Sequence, residues 1–201
     1  MGIRPREFHP RDQVPNNGAR PRGHRTAIRT RTWCARVSRR QSPVSWARGR
    51  ADVEQLITDG ELERVRPSVE VAARLLADAG AHISLASKGI EEDPAGALQL
   101  CYDAARKAAT ALLAVQGLRA TSRGGHIAVI DAVRVQFNDE GGMAIFGRLH
   151  ALRRRRNRSE YPDDESPGVN EDDARRALDT ARAVLQAAEQ LLGSGRLGIF
   201  G

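Results

Sequence analysis

The run from Asp93 to Gly117 constrains this chain more than any other stretch. Asp93-Pro94 has the form of a helix start, with Asp93 as N-cap and Pro94 at the first helical position, where its missing N–H costs nothing. Ala97, Leu98, Cys101, Ala105, Ala108, Leu112 and Val115 then recur on one face, and Gly117 stands where helices commonly stop. Ala104, Ala105, Ala108, Ala109 and Ala111 carry so little side-chain bulk that neighbouring helices can approach closely. The pattern predicts a long helix at the centre of a helical assembly.

The flanking segments supply its neighbours. Pro67-Ser68 opens an earlier long helix, with Ser68 as N-cap and Val69, Ala72, Leu75, Leu76, Ala79, Ile83, Ala86 and Ile90 on one side. Before it, Val53, Leu56 and Ile57 mark a short helical piece that Asp59-Gly60 breaks. Ile127, Ile130, Val133 and Phe137 follow Ser122-Arg123-Gly124-Gly125 as a further helix, expected to end within residues 138–142. Ile145, Phe146, Leu149 and Leu152 define another. The last begins at Asn170, where Asp173 gives a start like a capping box, and runs through Ala174, Leu178, Ala181, Leu185, Ala188 and Leu192 to Gly193. No strand pattern of alternating or β-branched residues is present. The fold class is therefore all-α, an up-and-down bundle of about five helices over residues 51–193, with residues 194–201 as a C-terminal tail.

Charge divides the chain. Residues 1–50 hold 13 arginines against Glu7 and Asp12, a net +11, so the total of +7 leaves the remaining 151 residues at −4. With Pro5, Pro10, Pro15, Pro21 and Pro43 and no sustained apolar period, residues 1–50 read as a disordered basic tail. Three readings suit it: a basic nucleic-acid-binding arm, an Arg-rich transit peptide, or translated sequence upstream of the true start. The domain itself is not basic enough overall to argue for nucleic acid or an anionic membrane. Cys34 and Cys101 form no metal or disulfide spacing, so no metal or cofactor is expected and a reducing, cytoplasmic location fits. No apolar run reaches the roughly 18 residues of a membrane span, and no apolar segment of secretory type follows the N-terminus.

A local arginine cluster remains. In Leu149 to Pro162, the apolar stripe of Ile145, Phe146, Leu149 and Leu152 continues onto Arg153 and then Arg156. Arg153 to Arg156 sweep more than a full turn, so at least one guanidinium faces the packed side and needs an anionic partner. The same cluster also suits a solvated basic helix end favoured by the helix dipole. Pro162 disfavours helix at Tyr161 and places the cluster in the last turns.

Tyr102-Asp103-Ala104-Ala105-Arg106-Lys107-Ala108, Gly117-Leu118-Arg119, Gly125-His126 and Arg156-Asn157-Arg158-Ser159-Glu160-Tyr161-Pro162, set in a helical bundle, resemble the HEPN domain superfamily, in a branch found in high-GC bacteria. The resemblance covers roughly residues 52–192. It implies an up-and-down bundle that usually dimerises, and an activity often that of a metal-independent ribonuclease or of a toxin paired with a nucleotidyltransferase antitoxin. The family's catalytic signature is an arginine, commonly followed by a polar residue such as asparagine, and a histidine a few positions on. Arg156-Asn157 matches its start, and Tyr161 stands where the shortest spacing would place the histidine.

The resemblance thus implies Arg156, Asn157 and Tyr161 as the core of the site. A tyrosine with an ordinary pKa near 10 is a poor general base at neutral pH, so phosphate binding survives this exchange more easily than acid–base catalysis. His126, at a helix N-terminus that favours the neutral imidazole, is one substitute; a capping or surface role is the other reading. His150, six residues before Arg156, need not share its face. Glu160, four residues after Arg156, suits orienting that arginine. Asp103 is a candidate anionic partner for Arg153 or Arg156, or else forms a solvent-facing pair with Arg106 and Lys107. Tyr102 reads as core packing with a hydrogen-bonded hydroxyl.

Two functions remain. One is a protein that engages RNA or nucleotide phosphate through Arg156 and Asn157, as a homodimer pairing the helices that carry them, with ribonuclease activity weak or lost. The other is a non-catalytic helical module whose arginines hold a dimer or a partner protein.

Overall fold

The computed structural model describes residues 45–137, 143–161 and 168–201. The stop expected within residues 138–142, Pro162, and most of the basic segment lie outside those residues. Six α-helices are present among the described residues: α1 (Arg50–Thr58), α2 (Val69–Gly89), α3 (Pro94–Gln116), α4 (Gly125–Phe137), α5 (Leu149–Glu160) and α6 (Glu171–Gly193), with a 3-10 segment, Met143–Arg148, leading into α5. This is the all-α bundle that the periodicity implies.

The helix ends form where capping chemistry puts them. The Ser68 hydroxyl accepts from Val71 N–H at 3.1 Å, and the Asp93 carboxylate from Gly96 N–H at 2.8 Å. Asn170 and Asp173 make a reciprocal capping box at the start of α6. Gly117 closes α3 with φ +77°, and a Cβ there would lie 2.8 Å from the Val65 carbonyl oxygen, so a side chain is excluded on both counts.

Helix α3 is the axis of the core and packs against α2 and α6 most extensively. Ala104, Ala105, Ala108, Ala109 and Ala111 are fully buried in it, as the close approach of small residues requires. Phe146, Leu149 and Leu152 are also buried, so the stripe leading to the arginines is covered by this chain's own bundle. That removes the need for a second copy to cover it.

Two short strand pairs depart from the helical expectation. β2 (Leu62–Arg64) pairs antiparallel with β3 (Leu118–Ala120), with Arg64 opposite Leu118. β1 (Ser45–Trp46) pairs in parallel with β4 (Ile199–Phe200). Segments of two or three residues are too short to display a period, which is why the sequence does not reveal them. The second pair moves both expected boundaries. Trp46 stacks on Phe137 at 5.4 Å, Phe200 is buried, and Arg64 Nη1 donates to the Phe200 carbonyl at 3.1 Å. Residues 45–50 and 199–200 therefore belong to the packed unit rather than to tails.

An arginine-lined face where α5 meets α3 and α4

Consecutive arginines of α5 reach different neighbours because successive residues on a helix are turned by about 100°. Arg155 forms an ion pair with Asp173 at the start of α6 and donates to the Gly168 carbonyl at 3.0 Å. Hydrogen bonds from Arg155 hold the Asp173 carboxyl at a pKa of about 2, with those from Arg176 and the Asn170 backbone helping against the cost of its burial. Arg156 turns to α3. Its Nε donates to Gln99 Oε1 at 2.7 Å, and its Nη2 lies 3.1 Å from Glu160 Oε2. Gln99 Nε2 in turn donates to that same Glu160 oxygen at 2.7 Å, closing a three-membered ring of contacts. Asn157 Oδ1 accepts from Arg156 Nη1 at 3.4 Å. An exposed i,i+4 pair alone contributes only about 0.3–0.5 kcal/mol. Gln99 adds direction, fixing both charged groups in one geometry.

The Arg156 guanidinium carbon also lies 5.9 Å from the centroid of the Tyr102 ring. The same ring contacts His126 at 5.8 Å. His126 is the second residue of α4 and is exposed. Its position is set by the turn before α4: Thr121 Oγ1 donates to the Gly60 carbonyl at 2.6 Å, and Gly124 packs so closely on Glu61 that a Cβ would meet its carbonyl oxygen at 2.2 Å. Partial burial and the charges of Arg106 and Arg156, with Arg153 adding to them and Asp103 opposing, push the His126 pKa below its ordinary value and favour the neutral ring. Burial raises the Tyr102 phenol pKa, although Arg106, Arg153 and Arg156 act against the rise.

Arg156 and His126 thus meet at the Tyr102 ring, Gln99, Asn157 and Glu160 are bonded to Arg156, and the charges of Arg106 and Arg153 act on the Tyr102 hydroxyl. Two expected residues stand apart. Asp103 is no partner of Arg153 or Arg156: it pairs with Arg106, with Lys107 at 3.5 Å and with His82 of α2 at 3.0 Å. Burial works against its charge, but the Arg106 hydrogen bond and the surrounding cations outweigh it and lower its pKa. Tyr161 is 77 % exposed beyond the last turn of α5, where its N–H donates to the Asn157 carbonyl at 2.9 Å. Among the described residues no hydrogen bond joins its hydroxyl to the Arg156 cluster. His150 lies elsewhere, bonded to Asp131 at 2.8 Å. Cys101 is no nucleophile, since burial pushes its thiol up to about 12, with Arg182 opposing and Asp179 adding to the rise.

Gln99 and His82 are the residues the sequence reading missed, and the Tyr102 hydroxyl has no hydrogen-bond partner among the described residues, contrary to expectation. A signal for Gln99 exists: Gln99, Tyr102, Asp103 and Arg106 recur at three- and four-residue spacing as the polar stripe of an otherwise alanine-rich helix. A family model described as HEPN domain matches residues 68–191, a span that contains every one of these groups. No curated protein and no solved structure matches the chain.

Proposed function

The chain belongs to the HEPN domain family, and from that premise we propose that its arginine-lined face engages RNA or nucleotide phosphate through Arg156 and Asn157. The observation that carries this reading is the placement of Arg156. Its guanidinium is partly exposed, oriented by Gln99 and Glu160, and seated at the edge of a surface that also presents Arg153 and His126. Arginine suits this task because its planar fork can meet two phosphate oxygens at once. Arg154 and Arg158, both exposed on α5, extend the positive surface for a phosphate backbone.

Metal-independent cleavage by this site is slow or absent in this reading. Tyr161 occupies the position of the expected histidine, and a phenol is a poor substitute for an imidazole in acid–base chemistry near neutrality. A homodimer that sets two α5 helices together rests on the family's habit, because the apolar stripe of α5 is already buried within one chain. A nucleotidyltransferase partner and a toxin-type role rest on the same ground.

One observation favours a second reading. Part of the Arg156 donor set is already engaged by Gln99, Glu160 and Asn157, as it would be in a helical interaction module whose arginines serve packing alone. RNA binding by the full chain, with and without Arg156, separates the two.

A further inference from the structure

Helix α5 buries only Leu149 and Leu152, both at its N-terminal end, whereas α3 and α6 bury side chains along their whole lengths. Further along, α5 is held by polar contacts that are partly exposed and individually weak, Arg155 with Asp173 and Arg156 with Gln99. An element with few buried apolar groups opens locally at a fraction of the cost of global unfolding. The aim of Arg156 therefore depends on what fixes the start of α5.

A file of three aromatic rings leads to that start. Phe146 lies three residues before α5, in the 3-10 segment, and is fully buried. Its ring stands 5.7 Å from that of Phe137, the last residue of α4, and Phe137 in turn stands 5.4 Å from Trp46. Trp46 belongs to β1, which pairs with β4 near the C-terminal end of the chain. Three residues on, the backbone at Gly49 runs so close to the last turn of α4 that a Cβ would lie 2.8 Å from the Val135 carbonyl oxygen. Residues 45–50 thus form a strap across the end of α4. The indole Nε1 of Trp46 is buried with no acceptor among the described residues, so the ring serves by packing. His150, the second residue of α5, adds only a partly exposed bond to Asp131 of α4.

We propose that Trp46 is a positioning residue for the α5 arginines. Acting through Phe137 and Phe146, it holds the start of α5 and so sets where Arg156, about 10 Å along the helix from Leu149, meets Gln99 and Tyr102. Trp46 itself touches no RNA in this role. The functional consequence rests on the proposed engagement of phosphate by Arg156, whereas the mechanical link from Trp46 to α5 stands apart from it.

Hydrogen–deuterium exchange of the full chain, read by mass spectrometry, tests the link. Trp46→Ala is expected to speed exchange of the α5 amides by about five-fold or more, while those of α3 and α6 keep their wild-type rates. Trp46→Phe, which keeps an aromatic ring and loses no hydrogen bond, is expected to restore protection. Leu75→Ala, which thins the packing of α2 on the core, is expected to leave α5 as in the wild type. The affinity for a fluorescent RNA at fixed salt is expected to fall about three-fold in Trp46→Ala and to recover in Trp46→Phe, as the loss of preorganisation without the loss of a contact requires. Unchanged α5 exchange in Trp46→Ala, a rise shared equally by α3 and α6, an equal rise in Leu75→Ala, loss of the fold in Trp46→Ala, or no rescue by Trp46→Phe overturns the proposal. So does a released α5 with unchanged RNA affinity. A wild-type chain that binds no RNA removes the Arg156 reading, and exchange alone then decides whether Trp46 holds α5.

Discussion

The guanidinium of Arg156 sits 5.9 Å from the centre of the Tyr102 ring, which joins the arginine run of α5 to the central helix α3. In the proposed role, Arg156 is shared between Glu160 and an incoming phosphate. Glu160→Gln removes the competing carboxylate while keeping a side chain that can bond Gln99. RNA affinity is expected to rise about two- to five-fold, with less than about 1 kcal/mol change in stability because the pair is partly exposed. A fall in affinity measured by anisotropy would instead make Glu160 a group that RNA binding requires.

His126 offers a pH-dependent readout. Its pKa is lowered by partial burial and by the cations around it, which favours the neutral imidazole. Proton NMR of the His126 ring is expected to give a midpoint below the ordinary value of about 6.5, moving upward in Arg153→Gln. A group depressed in the folded state lends stability above its unfolded pKa that is lost as pH falls through the folded one. An unshifted midpoint that Arg153→Gln does not move would separate His126 from the arginine cluster.

Much of this fold is legible in the sequence because its signals are local. Ser68, Asp93 and Asn170 cap helices through bonds to residues three positions on, and Glu160 meets Arg156 one turn away. The site is less legible because its decisive contacts are not local. Gln99 and Arg156 are 57 positions apart, and His82 reaches Asp103 from a different helix. Charge alone made Asp103 and the α5 arginines natural partners, but Arg106 and Lys107, three and four residues along the same helix, reach that carboxylate at no loop-closure cost. Phe200 is hidden for another reason: a lone aromatic after Gly198 has no period to declare its burial.

Asp173 ties α5 to α6 and caps α6 at once. Asp173→Asn weakens charge-assisted bonds to Arg155 and Arg176, and is expected to lower stability by about 1–2 kcal/mol. With its folded pKa depressed to about 2, its contribution is whole above the ordinary carboxylate range near pH 4 and fades as pH falls toward 2. The variant should therefore show a shallower acid transition in thermal melts. Equal melting temperatures for the two proteins at pH 7 would contradict this role.

Tyr161 tests the chemistry. Replacing it by histidine in Tyr161→His restores a group that titrates near neutrality at the end of α5, and is expected to raise metal-independent RNA cleavage above the wild-type level, acid–base catalysis being worth about 10²–10⁴-fold when well placed. Cleavage is followed on labelled RNA in the presence of chelator. Efficient wild-type cleavage that persists in both Tyr161→Phe and Arg156→Ala would locate the activity elsewhere.

The most direct measurement is the anisotropy of a fluorescent RNA titrated with the full chain and with Arg156→Ala at fixed salt. Wild type is expected to bind, and the loss of one oriented phosphate contact to weaken binding about tenfold, near 1.4 kcal/mol, across unrelated RNA sequences. Absence of wild-type binding at tens of micromolar, or equal affinity of the two proteins, would contradict phosphate engagement by Arg156 and leave its bonds to Gln99 and Glu160 as structure alone.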